Sequence, residues 1–332
     1  MIGRLTARVS GRAWLLLGLF ASALVAAPIV ASGYVLTVLT LTLYYAYLGQ
    51  AWNVMMGFAG QLSLGHALFV GLGAYTAGAL SLHFGVPPWL GVAASVAVCV
   101  LIGAFIGFLG FRFSIQGVYF ALLTIAFAEF TRILFEHFFW VGGTAGFFLP
   151  VENRTGWDLA SLRGAPEMFY YVILCLTFLA LGLSKMLLGS RLGYYWLAIR
   201  EDQEAAQALG VNTFRYKMYA VMLSAGMTAV GGVWYVFFSS NLFPDQVFNI
   251  ARSIELLLGP IIGGVGTLFG PILGTFVLQP LGFILSDLTE VLGINGIQQF
   301  FYGLCVVLII VFLPRGIWPW LSRRLALDRH ED

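Results

Sequence analysis

The side chains best equipped for chemistry in this chain are few, and most of them interrupt apolar sequence. Glu129, Arg132 and Glu136 follow one another at i, i+3 and i+7 within one apolar run. On a helix that spacing puts all three on one face, where Arg132 can pair with both acids. An ionisable group inside a membrane segment is a functional-site candidate by default. The reading favoured here is an internally neutralised structural ladder facing the bundle or a partner subunit. A proton relay is the less attractive use. Gln61, Ser63 and His66 gather at the start of another run, with Ser63 and His66 three apart on one expected helix face. They either line a path or cap and brace a broken helix. Gly263, Gly264 and Thr267 mark a second glycine-interrupted run nearer the C-terminus.

Other chemistries are excluded by what these residue types lack. Cys99, Cys175 and Cys305 show no disulfide or metal spacing and read as packing residues, and the four histidines are equally dispersed. No metal site is expected. A phosphate-cradling loop needs a lysine directly after a glycine. Lys185 and Lys217 are the chain's two lysines, and neither follows one. No paired carboxylates, histidine cluster or nucleophile–base pair recurs on one face of adjacent spans. The chain is therefore read as non-catalytic, with no catalytic residues and no cofactor of its own.

The elements that must position these residues are membrane helices. Of the 332 residues, 60% are apolar and 10% charged, against about 45–50% and about 25% in soluble domains. Apolar runs fall at about 14–31, 34–52, 62–82, 89–109, 118–139, 168–188, 218–238, 254–264, 268–286 and 297–313. The run 254–264 is too short to cross ~30 Å of hydrocarbon and reads as a half-helix or dipping segment. Small residues near Ala26 and Ala27 give the N-terminus some features of a signal peptide, but the run continues to Val30 and reads as a span. The expected fold is an all-α polytopic membrane protein of about 8–10 transmembrane segments, including broken or half helices.

Charge sets the expected topology. Arg4, Arg8, Arg12, Arg112, Lys185, Arg191, Arg200, Arg215, Lys217, Arg315, Arg323, Arg324 and Arg329 fall on one side if both ends are cytoplasmic, which is 13 of the 17 basic residues. Arg154, Arg163 and Arg252 fall on the other side, and Arg132 inside a span. The expectation is one transmembrane domain over 1–332. It has a cytoplasmic N-terminus (1–13), an external loop (141–167), a cytoplasmic loop (189–217) and a cytoplasmic C-terminus (314–332). Trp89, Trp140 and Trp157 near span ends fit an aromatic belt.

Loop 189–217 carries the most specific pattern. Residues 201–209 are good helix formers with acids in the first turn, and Gly210 is placed to stop the helix. Small residues at 205, 206 and 208 permit close approach of a partner. Glu204-Ala205-Ala206 with Gly210 four residues on resembles the EAA loop of ABC importer permeases, the helix that docks on the ATPase. The wider stretch from Ala198-Ile199-Arg200-Glu201-Asp202 through Gly210-Val211-Asn212 to Arg215-Tyr216-Lys217 is similar to the branched-chain amino acid permease family. So are Gly57-Phe58-Ala59-Gly60-Gln61-Leu62-Ser63-Leu64-Gly65-His66-Ala67 and Gly263-Gly264-Val265-Gly266-Thr267 with Gly270-Pro271 and Gly274. The resemblance runs from about Ser32 to Pro314. Gly142-Gly143-Thr144 is also similar to a turn of that family, but Ala145 departs from its usual polar residue.

The resemblance implies a permease subunit in the bacterial inner (plasma) membrane. It implies a second, related or identical permease, two ATPases that bind ATP and Mg²⁺, and a periplasmic substrate-binding protein as partners, with no nucleic acid. It makes Glu201, Glu204, Ala205, Ala206 and Gly210 the coupling residues, and Gln61, Ser63, His66, Gly263, Gly264 and Thr267 candidates for the translocation path. Without the resemblance, the two glycine-interrupted runs suit either a midplane binding site for a zwitterion or close helix packing. Alternatives are the same architecture with urea, short amides or another small polar solute as cargo, and a stand-alone secondary transporter. The last leaves the EAA-like helix unexplained.

Overall fold

The computed structural model describes residues 11–150, 156–292, 300, 303–304, 307–308 and 311–324. The expected last span 297–313 with Cys305, and Arg4, Arg8, Arg154 and Arg329, fall wholly or partly outside the described residues. The described chain is built of α-helices with short strand pairs. In order these are α1 (Gly11–Val30), α2 (Gly33–Asn53), a π-helical turn (Val54–Phe58), α3 (Ala67–Phe84), α4 (Pro88–Arg112) and α5 (Val118–Glu136). Then come α6 (Pro166–Leu188), α7 (Arg191–Glu201), α8 (Gln203–Ala208), α9 (Thr213–Ser239), α10 (Pro244–Val247), α11 (Ile250–Gly263), α12 (Gly270–Leu292) and α13 (Ile317–Arg324). Among the described residues α3, α4, α5, α6 and α9 are long and apolar enough to cross a membrane. The chain is an all-α polytopic membrane protein.

Local signals explain the helix ends. Gly85, with φ 63°, closes α3, where the Val86 and Gly85 amides donate to the Leu80 and Ser81 carbonyls. Pro88 opens α4 at its first position, where a missing N–H costs nothing. The Asn212 side chain accepts from the Arg215 amide and starts α9 five residues before the apolar run begins.

Two compact units emerge from the packing. One is drawn from Ala51–Phe169 and Ser190–Leu257. Its core is α3, α4 and α9, packed closely enough that a Cβ on Gly232 would lie 2.2 Å from the Val70 carbonyl oxygen. Small residues let membrane helices approach this far and replace a hydrophobic drive that lipid does not supply. Buried Ser95 donates to the Gly73 carbonyl and Cys99 to that of Phe69. In the connection between α5 and α6, the pair Trp157–Asp158 and Arg163–Gly164 forms one short antiparallel ladder. Phe147–Phe148 pairs with Asn241–Leu242 in another.

The other unit is drawn from Met1–Gln50, Tyr170–Gly189 and Leu258–Asp332. Tyr170 donates to the Leu24 carbonyl at 2.7 Å, Thr177 to that of Leu43 at 3.2 Å, and Gln50 to that of Leu268 at 2.7 Å. Cys175 is exposed on α6, whereas Cys99 is buried as expected of a packing residue.

Candidate functional site

The first glycine-rich run is a broken helix. Chain 34–84 runs as α2, the π turn, a non-helical stretch over 59–66 and then α3. Ser63 and His66 therefore do not share a helix face, because α3 starts only at Ala67. Hydropathy misplaces the start because the stretch before it is still apolar. Gly60 takes φ +70°, a conformation open to glycine, and turns the chain. A Cβ on Gly65 would lie 2.1 Å from the Thr124 carbonyl oxygen, so the backbone itself lies against α5.

His66 is nevertheless held beside Ser63. Its Nδ1 lies 3.0 Å from Ser63 Oγ and its Nε2 2.8 Å from Ser224 Oγ on α9. Ser224 donates its one hydroxyl hydrogen to the Ala51 carbonyl at 2.7 Å. It can then only accept from His66, so Nε2 carries a proton, and in the neutral ring Nδ1 accepts from Ser63. Ser63, His66 and Ser224 are all buried. Gln61 is half-buried and donates to the Ala59 carbonyl.

Backbone groups freed by a break in a membrane helix need partners other than lipid. Here protein supplies them. The Leu64 amide donates to Thr124 Oγ1 at 3.1 Å and the Ala67 amide to Ser253 Oγ at 3.0 Å. Trp52 Nε1 donates to the Ser63 carbonyl at 2.9 Å, and the Arg200 guanidinium donates to the Gly57 carbonyl.

The second break lies between α11 and α12. At 14 residues, α11 is about 21 Å long, less than the ~30 Å hydrocarbon core. Beyond Gly263 the chain turns through Gly264 at φ +122° and Gly266 at φ +77°. Thr267 donates to the Gly264 carbonyl at 2.7 Å and accepts from the Gly270 amide at 3.1 Å, which caps the start of α12. A Cβ on Gly263 would lie 1.7 Å from the Gly270 carbonyl oxygen, so the two helix ends meet backbone to backbone. Gly263, Gly264 and Thr267 belong to a different unit from Gln61, Ser63 and His66.

Segment 189–217 forms two helices where the sequence suggests one across 201–209. α7 ends at Glu201, and Asp202 adopts φ −154°, ψ 110°, its carboxylate accepting from the Glu204 and Ala205 amides at 2.9 Å. An aspartate that caps its followers competes with helix continuation at its own position. Gly210, at φ +87°, ends α8, with its amide donating to Gln207 and that of Val211 to Ala206. Glu201, Glu204, Ala205 and Gly210 are exposed, but Ala206 is buried against its own chain. Leu209 is 87% exposed beside them and gives α8 an apolar knob that residue-type reasoning passed over. Fully buried Trp196 donates from Nε1 to the Tyr216 carbonyl at 2.8 Å. Lys217 donates to Gln203 Oε1 at 3.0 Å and sits 4.3 Å above the Phe111 ring.

On α5, Arg132 pairs with both acids, its Nε donating to Glu129 at 3.0 Å and its Nη1 to Glu136. The Glu129 side chain is 47% exposed and that of Glu136 19%. The ladder thus opens onto the outer face of α5, beside exposed Phe130, Ile133 and Leu134. Ala145 lies in a 3₁₀ turn over Gly143–Ala145. Trp89, Trp140 and Trp157 are all exposed, and Trp89 donates to the Leu159 carbonyl. Asp158 in the same connection is held below the usual carboxylate range by Ser161, whose hydroxyl and amide both donate to it. Among the described residues no three His, Cys, Asp or Glu side chains gather as a metal-ligand group.

Apolar helices of crossing length, two glycine-rich breaks and a capped pair of short helices define a polytopic membrane protein with interrupted helices. The chain belongs to the family described as branched-chain amino acid transport system / permease component, whose model matches residues 34–313. It is similar to the high-affinity branched-chain amino acid transport system permease protein LivM of Escherichia coli K12, with 29% identity over 324 residues covering 91% of this chain and 74% of that protein. The LivM of Salmonella typhimurium LT2 is 30% identical over the same shares. The LivH permease of that organism is 23% identical over 84% of this chain and 92% of its own length. No solved structure matches the chain. As a member of this family it is a permease subunit of the inner membrane.

Proposed function

We propose that this chain is the membrane-spanning subunit of an ATP-binding-cassette importer that carries branched-chain or similar hydrophobic amino acids inward. The observation that carries this reading is the likeness to LivM across 91% of the chain. The chain does no chemistry itself. ATP and Mg²⁺ bind to two partner ATPases, a second permease completes the membrane part, and a periplasmic binding protein delivers and selects the cargo. Both termini and loop 189–217 face the cytoplasm, in keeping with the bias of basic residues. Exposed Glu201, Glu204, Ala205 and Leu209, with Gly210 closing the helix, form the surface that meets the ATPase. Gln61, Ser63 and His66 in one unit, and Gly263, Gly264 and Thr267 in the other, are each candidates to line the translocation path. The Glu129–Arg132–Glu136 ladder serves structure.

A second reading keeps the machine and changes its cargo. It is favoured by a partial likeness, 29% over 40% of this chain, to the autoinducer 2 import system permease protein LsrC of Yersinia pseudotuberculosis. Affinity purification of the tagged chain in mild detergent tests the assembly. The expected result is co-purification of a second permease and ATPases, with the ATPases lost when residues 203–210 are scrambled. Recovery of the chain alone, folded and transporting without ATP, overturns the reading.

A further inference from the structure

The break after α2 leaves the last carbonyls of a helix without the amides that would have followed. Two find backbone partners, since the Gly60 amide donates to Met56 and that of Gln61 to Met55. Gly57 has no such donor among these turn bonds, and its carbonyl is taken by the guanidinium of Arg200. Arg200 sits in the last turn of α7, one residue before the Glu201 end and two before the Asp202 cap that opens α8. A cation at a helix C-terminus also meets the negative end of the helix dipole. The fit extends beyond one bond. A Cβ on Gly60 would lie 3.2 Å from both Cα and Cγ of Arg200, so the turn of the break rests on the Arg200 backbone and stem.

A second chain of contacts closes the circuit. Gln203 on α8 accepts from Lys217 on α9, and two turns further along α9 Ser224 holds His66 and Ala51 on either side of the same break. The short helices are therefore tied to the broken segment directly through Arg200 and indirectly through α9, which Trp196 of α7 also bonds. Residues 57–66 have few regular backbone bonds of their own, so their position depends on such side-chain ties.

We propose that Arg200 is a positioning residue for energy coupling: through the Gly57 carbonyl it makes the end of the broken helix move with the cytoplasmic helix pair. The inference rests on the reading of α8 as the ATPase-docking helix. Loss of the tie lets α7 and α8 move without carrying the break, so ATP is hydrolysed with less substrate moved.

The test uses the whole importer, with binding protein, both permeases and ATPases, reconstituted in liposomes with Arg200→Ala or Arg200→Lys in this chain. Uptake and phosphate release are measured on the same vesicles, and assembled complex is quantified by size-exclusion chromatography. The expected result for Arg200→Ala is normal assembly, continued hydrolysis, and uptake per ATP reduced about ten-fold, the scale of one charge-assisted hydrogen bond. Arg200→Lys, still able to donate to the carbonyl, restores most of the ratio. An unchanged ratio in Arg200→Ala overturns the inference. So does a parallel loss of uptake, hydrolysis and assembled complex, which marks a purely structural role. A wild-type chain that holds no ATPase refutes the importer reading itself, a result separable from either.

Discussion

Replacing Ser224 with alanine removes two bonds at once in a fully buried polar cluster. The Nε2–H of His66 loses its acceptor and the Ala51 carbonyl loses a donor, where His66 and Ser224 are 1% and 0% exposed. A buried donor left unsatisfied costs about 1–3 kcal/mol, and an ordinary hydrogen bond contributes about 0.5–1.5 kcal/mol. Ser224→Ala should therefore destabilise the chain by about 2–4 kcal/mol. His66→Leu removes the orphan-prone donor itself, so in the double variant the Ser224→Ala change should cost about 1–2 kcal/mol less than it does alone. The assay is titration of the purified chain in mixed micelles with a denaturing detergent, read by tryptophan fluorescence. Trp52, buried and bonded to the Ser63 carbonyl, reports on this cluster. Additivity of the two single variants, within about 0.5 kcal/mol, would refute the bonded arrangement and the tautomer derived from it.

Other substitutions separate packing from backbone conformation. Gly65→Ala must push a methyl group to 2.1 Å from a backbone oxygen and should cost about 3 kcal/mol or more, whereas Gly182→Ala on α6 meets nothing within 4 Å and should be neutral or stabilising in the same titration. Gly210 has open space around its absent side chain but φ +87°. Gly210→Val should weaken ATPase retention in pull-downs at least five-fold while Gly210→Asn stays near wild type. Arg132→Leu leaves two carboxylates uncompensated on a membrane helix. It should lower the amount of folded protein in membranes more than Glu129→Gln does, at less than the ~2.5–3.5 kcal/mol per charge of a bilayer-centre position, because Glu136 ends α5. Full abundance with lost transport in Glu129→Gln would instead point to a role in the path.

Most of the helical frame was legible because a membrane crossing leaves a long apolar run. The expected run 168–188 became Pro166–Leu188, and 89–109 became Pro88–Arg112. The misses have physical causes. Hydropathy reads Leu62–His66 into the span because Leu62 and Leu64, both half-buried, continue the apolar run, and hydropathy carries no signal of conformation. It also missed the first turn of α9, where Thr213–Lys217 is polar but capped by Asn212. The break between α7 and α8 was available from the capping rule, since Asp202 precedes Glu204 and Ala205 at N-cap spacing, yet favourable helix formers on both sides masked it. The Ser63–His66 pairing follows from their proximity, but Ser224 lies 158 residues from His66 and leaves no local signal. The same holds for Arg200 and Gly57, 143 residues apart.

Substrate uptake into liposomes holding the complete complex, with ATP enclosed and loaded binding protein outside, distinguishes ATP-driven import from ion-coupled transport. Labelled leucine should accumulate only while ATP is hydrolysed, and not at all when the ATPases are omitted. Leucine uptake that proceeds without ATP and follows an imposed ion gradient would contradict ATP-driven import.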